Sequence, residues 1–340
     1  MTIASSLSEI VGNTPLLRLP RVTQGIEPVI AAKCEFFGPS GSLKDRILVH
    51  MVESAERDGR LRPGMAIIEG STGNTGIATA MVAASKGYGC VIVMPEGMSA
   101  ERRKAIHAYG AELILTPGGE SDVDLVLEKV RELIVTDPGR FWEVGQFANE
   151  DNPKAHYEST GPEIWEQTGG RIDIFVAATG SGGTLTGAGR YLKEMNPKVR
   201  IFAAEPEECP TLSERRWGFH QIEGIGDGFI PYVFNVSLLD GVVITTSRES
   251  IEMARRLASE EGLFVGISSG CNVAAAIKVA RKYPKTKLIV TILCDHGYRY
   301  FSSELCGVEA SVEVPERDHP LDDHTTRMLD RYQGKWEIIR

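Results

Sequence analysis

The sequence predicts an α/β protein built on two open, mostly parallel sheets with helices on both faces. Three observations predict it. From about residue 29 to 295, short apolar, β-branched runs alternate with longer helical patterns. The runs are continuously apolar, as in Leu288-Ile-Val-Thr-Ile-Leu293, which is how strands read when both faces are covered. A chain of 340 residues also exceeds what one hydrophobic core usually holds, so two units are expected.

Strands are expected at residues 65–68, 90–94, 113–116, 172–178, 201–205, 242–245 and 288–293. Helices are expected at 42–58, 74–86, 100–109, 122–134, 183–195, 249–261 and 273–283. In the first helix Ile47, Leu48, Met51 and Ala55 recur at helical spacing and mark a buried face. Ser42 followed by Asp45 suggests a capping box that starts it. A loop-like stretch at 149–153 is expected to join two halves. From Ala310 the chain is rich in Asp, Glu, Arg and Pro and reads as an appendage rather than a sheet strand.

Composition narrows the classes of function. With 42% hydrophobic and 24% charged residues, the chain reads as globular. A formal net charge of -9 argues against nucleic acid as a partner. It says little about a small anion, which responds to local fields. No apolar run reaches the roughly 18 residues of a membrane span. Met1 to Leu7 lacks the basic and apolar regions of a signal peptide. The six cysteines are scattered without a CxxC pair, as expected of reduced thiols in a cytoplasmic protein. No HExxH or Cys/His cluster suggests a metal.

In open parallel sheets, ligands sit at the carboxyl ends of strands. Four such junctions carry unusual residues. In Gly38-Pro-Ser-Gly-Ser-Leu-Lys44-Asp-Arg46, Lys44 falls in the first turn of a helix, on its apolar face. Burial and the positive helix end both disfavour its charged form. A neutral lysine amine suits Schiff-base chemistry; a lysine that snorkels to solvent fits the same pattern. In Glu69-Gly-Ser-Thr-Gly-Asn-Thr-Gly76, the glycines let backbone approach a ligand, and Ser71, Thr72, Asn74 and Thr75 offer neutral donors at a helix start. A carboxylate fits there, and so does an ordinary helix cap. Thr179-Gly-Ser-Gly-Gly-Thr184 reads as a phosphate cradle. It also matches part of a dinucleotide fingerprint, with Leu185 where the third glycine belongs and Glu205 on the next strand as a ribose carboxylate. An NAD-dependent dehydrogenase is therefore a rival. Gly266-Ile-Ser-Ser-Gly270 precedes a helix, which Ser268 or Ser269 would cap.

Taken together and in order, these motifs resemble the cysteine synthase family, also called O-acetylserine sulfhydrylases, of fold-type II pyridoxal 5'-phosphate (PLP) enzymes. The resemblance runs from Ile10-Val-Gly-Asn-Thr-Pro15 to Cys294-Asp-His-Gly-Tyr-Arg-Tyr300. It includes Gly145-Gln-Phe-Ala-Asn149, Thr160-Gly-Pro-Glu-Ile-Trp165 and Glu223-Gly-Ile-Gly-Asp-Gly-Phe229. It implies a tryptophan synthase β-like fold. Residues 42–150 would form a smaller domain closing over substrate. Residues 1–41 with 151–309 would form a larger PLP-binding domain, and 310–340 an appendage. It implies a homodimer acting on small molecules.

The resemblance also implies roles. Lys44 would form the internal aldimine, and Asn74 would meet the cofactor's 3' oxygen. Ser71, Thr72, Gly73 and Thr75, helped by Gln146, would hold the substrate α-carboxylate. Gly180, Ser181, Gly182, Gly183 and Thr184 would cradle the phosphate. Ser268, rather than Ser269, would meet the pyridine nitrogen. A neutral serine there suits elimination and replacement at the β-carbon. The implied reaction makes L-cysteine from O-acetylserine and sulfide through an aminoacrylate. Cystathionine β-synthase and O-phosphoserine sulfhydrylase are the near alternatives; Arg215 and Arg216 could recognise a phosphate leaving group, but read more readily as solvated surface charges. Three positions depart from the family. Ser71-Thr72 stands where many members have Thr-Ser. Asp227 replaces Ala or Tyr at the site mouth and is expected to face solvent. Cys271 follows the Ser-Ser-Gly and reads as core packing.

Overall fold

The computed structural model describes residues 3–119, 122–307, 318 and 320–340. Two sheets organise it. The smaller comes from one stretch of chain. Helix α1 (Lys44–Arg57) precedes it. Then follow β3 (Ala66–Gly70), α2 (Asn74–Lys86), β4 (Gly89–Pro95), α3 (Ala100–Ala108), β5 (Glu112–Thr116), α4 (Val123–Thr136) and β6 (Phe141–Glu143). The strand order is β5-β4-β3-β6, all parallel. Helices α1 and α2 cover one face, with Ile47, Leu48, Met51 and Met81 packed on Ile67 and Trp142. On the other face Val126 and Val130 of α4 pack against Ile68, Val91 and Val93.

The larger sheet gathers strands from both ends of the chain. Its first strands are β1 (Leu16–Arg18) and β2 (Val29–Cys34). After two short helices, α5 (Asp151–Ala155) and α6 (Gly161–Gln167), come β7 (Ile174–Ala178), α7 (Gly183–Met195) and β8 (Arg200–Pro206). The turn α8 (Thr211–Glu214) leads to β9 (Gly241–Thr245), α9 (Ser247–Glu261), α10 (Ile267–Lys282) and β10 (Leu288–Leu293). With β11 (Glu337–Ile339) at the far edge, the order is β1-β2-β10-β7-β8-β9-β11, and only β1 is antiparallel. The inner strands are buried along nearly their whole length, as their unbroken apolar runs require.

Three local expectations change. The tail does enter the sheet: α11 (Asp323–Tyr332) leads into β11 (Glu337–Ile339), which pairs parallel with β9. Its buried side chains, Thr325 and Leu329, sit among Asp322, Asp323, Arg327, Asp330 and Arg331, which mask them in composition. The expected boundary at 309 and 310 lies outside the described residues. Secondly, Ser42 and Asp45 form no capping box. The α1 N-cap is Leu43, and the Asp45 carboxylate instead accepts from the backbone N and hydroxyl of Ser40. Thirdly, α10 starts at Ile267 after a Gly266 cap. Ser268 and Ser269 therefore lie in its first turn rather than capping it.

Candidate active site

Lys44 opens α1 at the point where the chain passes from the larger sheet toward the smaller one. A bridge from Ser42 to Asp295 fixes that crossing to the end of β10. Lys44 lines a cleft with about 790 Å³ of empty space, part of it open to solvent. Burial holds its pKa below the ordinary lysine range. The nearby Cys294, Asp227 and Asp295 pull the other way. The Lys44 side chain is half-buried and borders this cleft.

The Ser71–Thr75 loop forms one wall, where β3 turns into α2. Ser71 is buried, and its Oγ accepts from Gly73 N at 3.1 Å and Gly76 N at 2.9 Å. Its acceptor side is thus used by the helix start, which leaves the hydroxyl proton to donate. Thr75 Oγ1 donates to Gln146 Oε1 at 2.7 Å, tying the loop to the turn after β6. Below that turn, Glu69 accepts from Gly145 N at 2.9 Å. Burial raises the Glu69 carboxyl to about 8, against the bonds from Gly145 and Gln146. Asn74 donates from Nδ2 to Asp295 at 2.7 Å, and Tyr300 Oη donates to the same carboxylate oxygen at 2.9 Å. Asn74 Oδ1 has no hydrogen-bond partner.

The opposite wall is the Gly180–Thr184 loop, at the start of α7. Each glycine there has a packing reason. A Cβ on Gly180 would lie 2.6 Å from Gly224 O, and side chains on Gly182 and Gly183 would overlap Phe234 and Asn152. Gly182 also has φ +78, a backbone that favours glycine. Ser181 Oγ accepts from Asn152 Nδ2 at 3.0 Å. Thr184 Oγ1 lies 3.1 Å from His156 Nε2. Burial, then the charges of Arg46 and Lys44, pushes that imidazole well below its usual range. The free N–H groups of a helix start therefore supply the positive end of this wall.

Ser268 closes the cleft floor beside Cys294. Ser269 turns away and accepts from Cys294 N at 2.8 Å. Every predicted site residue except Gly183 borders the cleft, and Gly183 sits at the head of α7 beside it. Asp227 also borders it and is half-buried, contrary to the expectation that it faces solvent. Cys271 is fully buried against Thr245 Oγ1, as expected of core packing. Arg215 and Arg216 are not among the residues that line the cleft. They pair with Asp330 and Glu214 respectively. Sequence reasoning missed Arg102, Asp295 and the Glu223 side chain. Only Asp295 and Glu223 fell inside quoted motifs.

The dinucleotide alternative fails on its acidic residue. Glu205 is buried, and its carboxylate accepts from Leu212 N at 2.8 Å and Ser213 N at 2.9 Å. PLP fits instead. The cleft offers a low-pKa lysine, a glycine cradle at a helix start, a neutral serine and an amide one partner short. Residues 7–295 match the pyridoxal-phosphate dependent enzyme family, and the chain belongs to that family. It is 44% identical over 301 residues to a cysteine synthase of Staphylococcus aureus, covering 88% of this chain and 96% of that one. Among solved structures, a cysteine synthase of Entamoeba histolytica superposes with a TM-score of 0.86 at 38% identity, covering 98% of this chain and 96% of the other. An O-ureido-L-serine synthase superposes at 0.84 with 40% identity, covering 92% and 98%.

Proposed function

We propose that the enzyme makes L-cysteine from O-acetyl-L-serine and sulfide by replacement at the β-carbon. The observation that carries this reading is one cleft holding the low-pKa Lys44 amine opposite a loop of neutral donors, Ser71 to Thr75 with Gln146. Bound PLP supplies an electron sink. Lys44, Asn74, Ser268 and the Gly180–Thr184 loop would hold it. The Ser71–Thr75 loop fixes the α-carboxylate and so presents the α-proton to Lys44. The amine takes that proton as general base. Acetate leaves with its bonding pair, sulfide adds at the β-carbon, and Lys44 returns the proton. In this reading residues 42–150 close over the substrate as a unit, and the enzyme works as a cytoplasmic homodimer.

Acetate needs no proton to leave, whereas hydroxide does. Asp227 favours a second reading on this point. A carboxyl within the cleft, if protonated, assists the loss of hydroxide from serine, which is the cystathionine β-synthase chemistry. Ionised, it repels phosphoserine, and Arg215 and Arg216 are turned elsewhere. The experiment compares kcat/KM for acetylserine, phosphoserine and serine in the wild type and Asp227→Ala. Acetylserine with sulfide leads in both, with ping-pong kinetics, and phosphoserine improves in the variant. A wild type that prefers serine with homocysteine, and loses that preference in Asp227→Ala, overturns the proposal.

A further inference from the structure

The charged residues lining the cleft are Lys44, Arg102, Glu223 and Asp227. The reaction above uses Lys44 and leaves Arg102 unexplained. Arg102 lies on α3, is 2% exposed and belongs among the largest fully buried side chains. Burying a guanidinium costs several kcal/mol unless its donors are met. Two contacts meet part of that cost. Nη1 is ion-paired with Glu223 of the mouth segment, and the guanidinium lies 5.1 Å from the centre of the Tyr300 ring. Its Nε, however, has no hydrogen-bond partner.

The position of that orphan donor is specific. A Cβ built on Gly73 would lie 2.7 Å from Arg102 Nε and 3.1 Å from its Cδ. Gly73 has φ -176, outside the left-handed region. A side chain here would collide with Arg102, which borders the cleft beside the loop. The buried charge is thus pressed against the middle of the Ser71–Thr75 loop, whose other donors are neutral. We propose that Arg102 is a specificity-determining residue. Its Nε–H donates to the α-carboxylate of the amino-acid substrate, and Glu223 competes for the same guanidinium. The inference rests on the reading that the cleft takes an amino acid. It adds a charged donor to a site otherwise built from hydroxyls, an amide and backbone.

The test measures equilibrium binding to the PLP-loaded enzyme, not turnover. L-alanine and L-alaninamide have no β-leaving group and are titrated against the cofactor's visible absorbance. Losing a hydrogen bond to a charged group corresponds to about tenfold or more in affinity. Arg102→Gln is therefore expected to weaken alanine by at least about tenfold and to leave alaninamide nearly unchanged. Glu223→Gln removes the competitor and is expected to tighten alanine. A purely structural Arg102–Glu223 pair gives a different pattern: both ligands weaken equally in Arg102→Gln, and Glu223→Gln weakens alanine. Either of those results overturns the inference. If Arg102→Gln does not fold, Glu223→Gln still gives opposite signs under the two accounts. Failure of the cysteine synthase reading appears separately, as a wild type that binds alanine without turning over acetylserine.

Discussion

Glu69→Gln tests whether the floor beneath the Ser71–Thr75 loop holds a proton. Glu69 is 2% exposed at the end of β3, and burial raises its pKa to about 8 from an ordinary 4.5. Between those values the folded protein keeps the proton and the unfolded chain has lost it. Since the folded state binds more protons, stability falls as pH rises across that window. Each pH unit is worth about 1.4 kcal/mol. At pH 7 the carboxyl therefore weakens the fold by about 3 kcal/mol relative to pH 4.5. Glutamine copies the protonated shape and keeps an oxygen for Gly145 N. The variant should gain stability over the wild type as pH rises from 4 to 8, with almost no gain at pH 4 and under about 1 kcal/mol at pH 5. Thermal unfolding at closely spaced pH values gives the difference directly. A difference independent of pH would refute the buried-proton account. A variant that is less stable at pH 8 would show that an ionised carboxylate is what Gly145 and Gln146 require.

Lys44→Ala should abolish turnover and the lysine-bound cofactor absorbance. A borohydride-reducible cofactor adduct at one site in that variant would place the Schiff base on another residue. Glu163→Gln addresses the joint between α1 and α6. Glu163 pairs with Lys33 at 2.6 Å and with Arg46 at 3.0 Å, and Lys33 has no exposed side-chain surface. Although burial opposes it, bonding to the two cations holds the Glu163 carboxyl at about 2. Its contribution is present above pH 4.5 and is lost as pH falls toward 2. Removing one partner of such a pair should cost about 3–5 kcal/mol at pH 7, read as a lower denaturant midpoint. The deficit should shrink as the wild type is acidified.

The sheet was legible because its inner strands are apolar on both faces. The expected run at 288–293 coincides with β10, and the runs at 242–245 and 201–205 fall inside β9 and β8. The strands missed, β1, β6 and β11, are each three residues long at a sheet edge. β2 was missed as well. It is six residues long and lies between β1 and β10, and its apolar run is interrupted by Lys33. That lysine is tolerated because Glu163 arrives from 130 positions away in sequence, with Thr14 O and Gln167 Oε1 accepting from the same amine. No local pattern announces such a pairing.

The site divides in the same way. Its backbone-built parts, the Ser71–Thr75 and Gly180–Thr184 loops, are each contiguous in sequence, because a strand turning into a helix gathers its donors within a few residues. The charged side chains come from elsewhere. Arg102 lies two residues into an ordinary surface-like helix, in the run Ala-Glu-Arg-Arg-Lys, where its spacing is that of a solvated face. What buries it is the approach of Glu223 and Tyr300 from the other sheet's loops. A residue whose role exists only after two units meet leaves no periodic signature in either. The glycine beside it does leave one: a side chain on Gly73 would collide with Arg102, so the bare backbone there is matched to that neighbour.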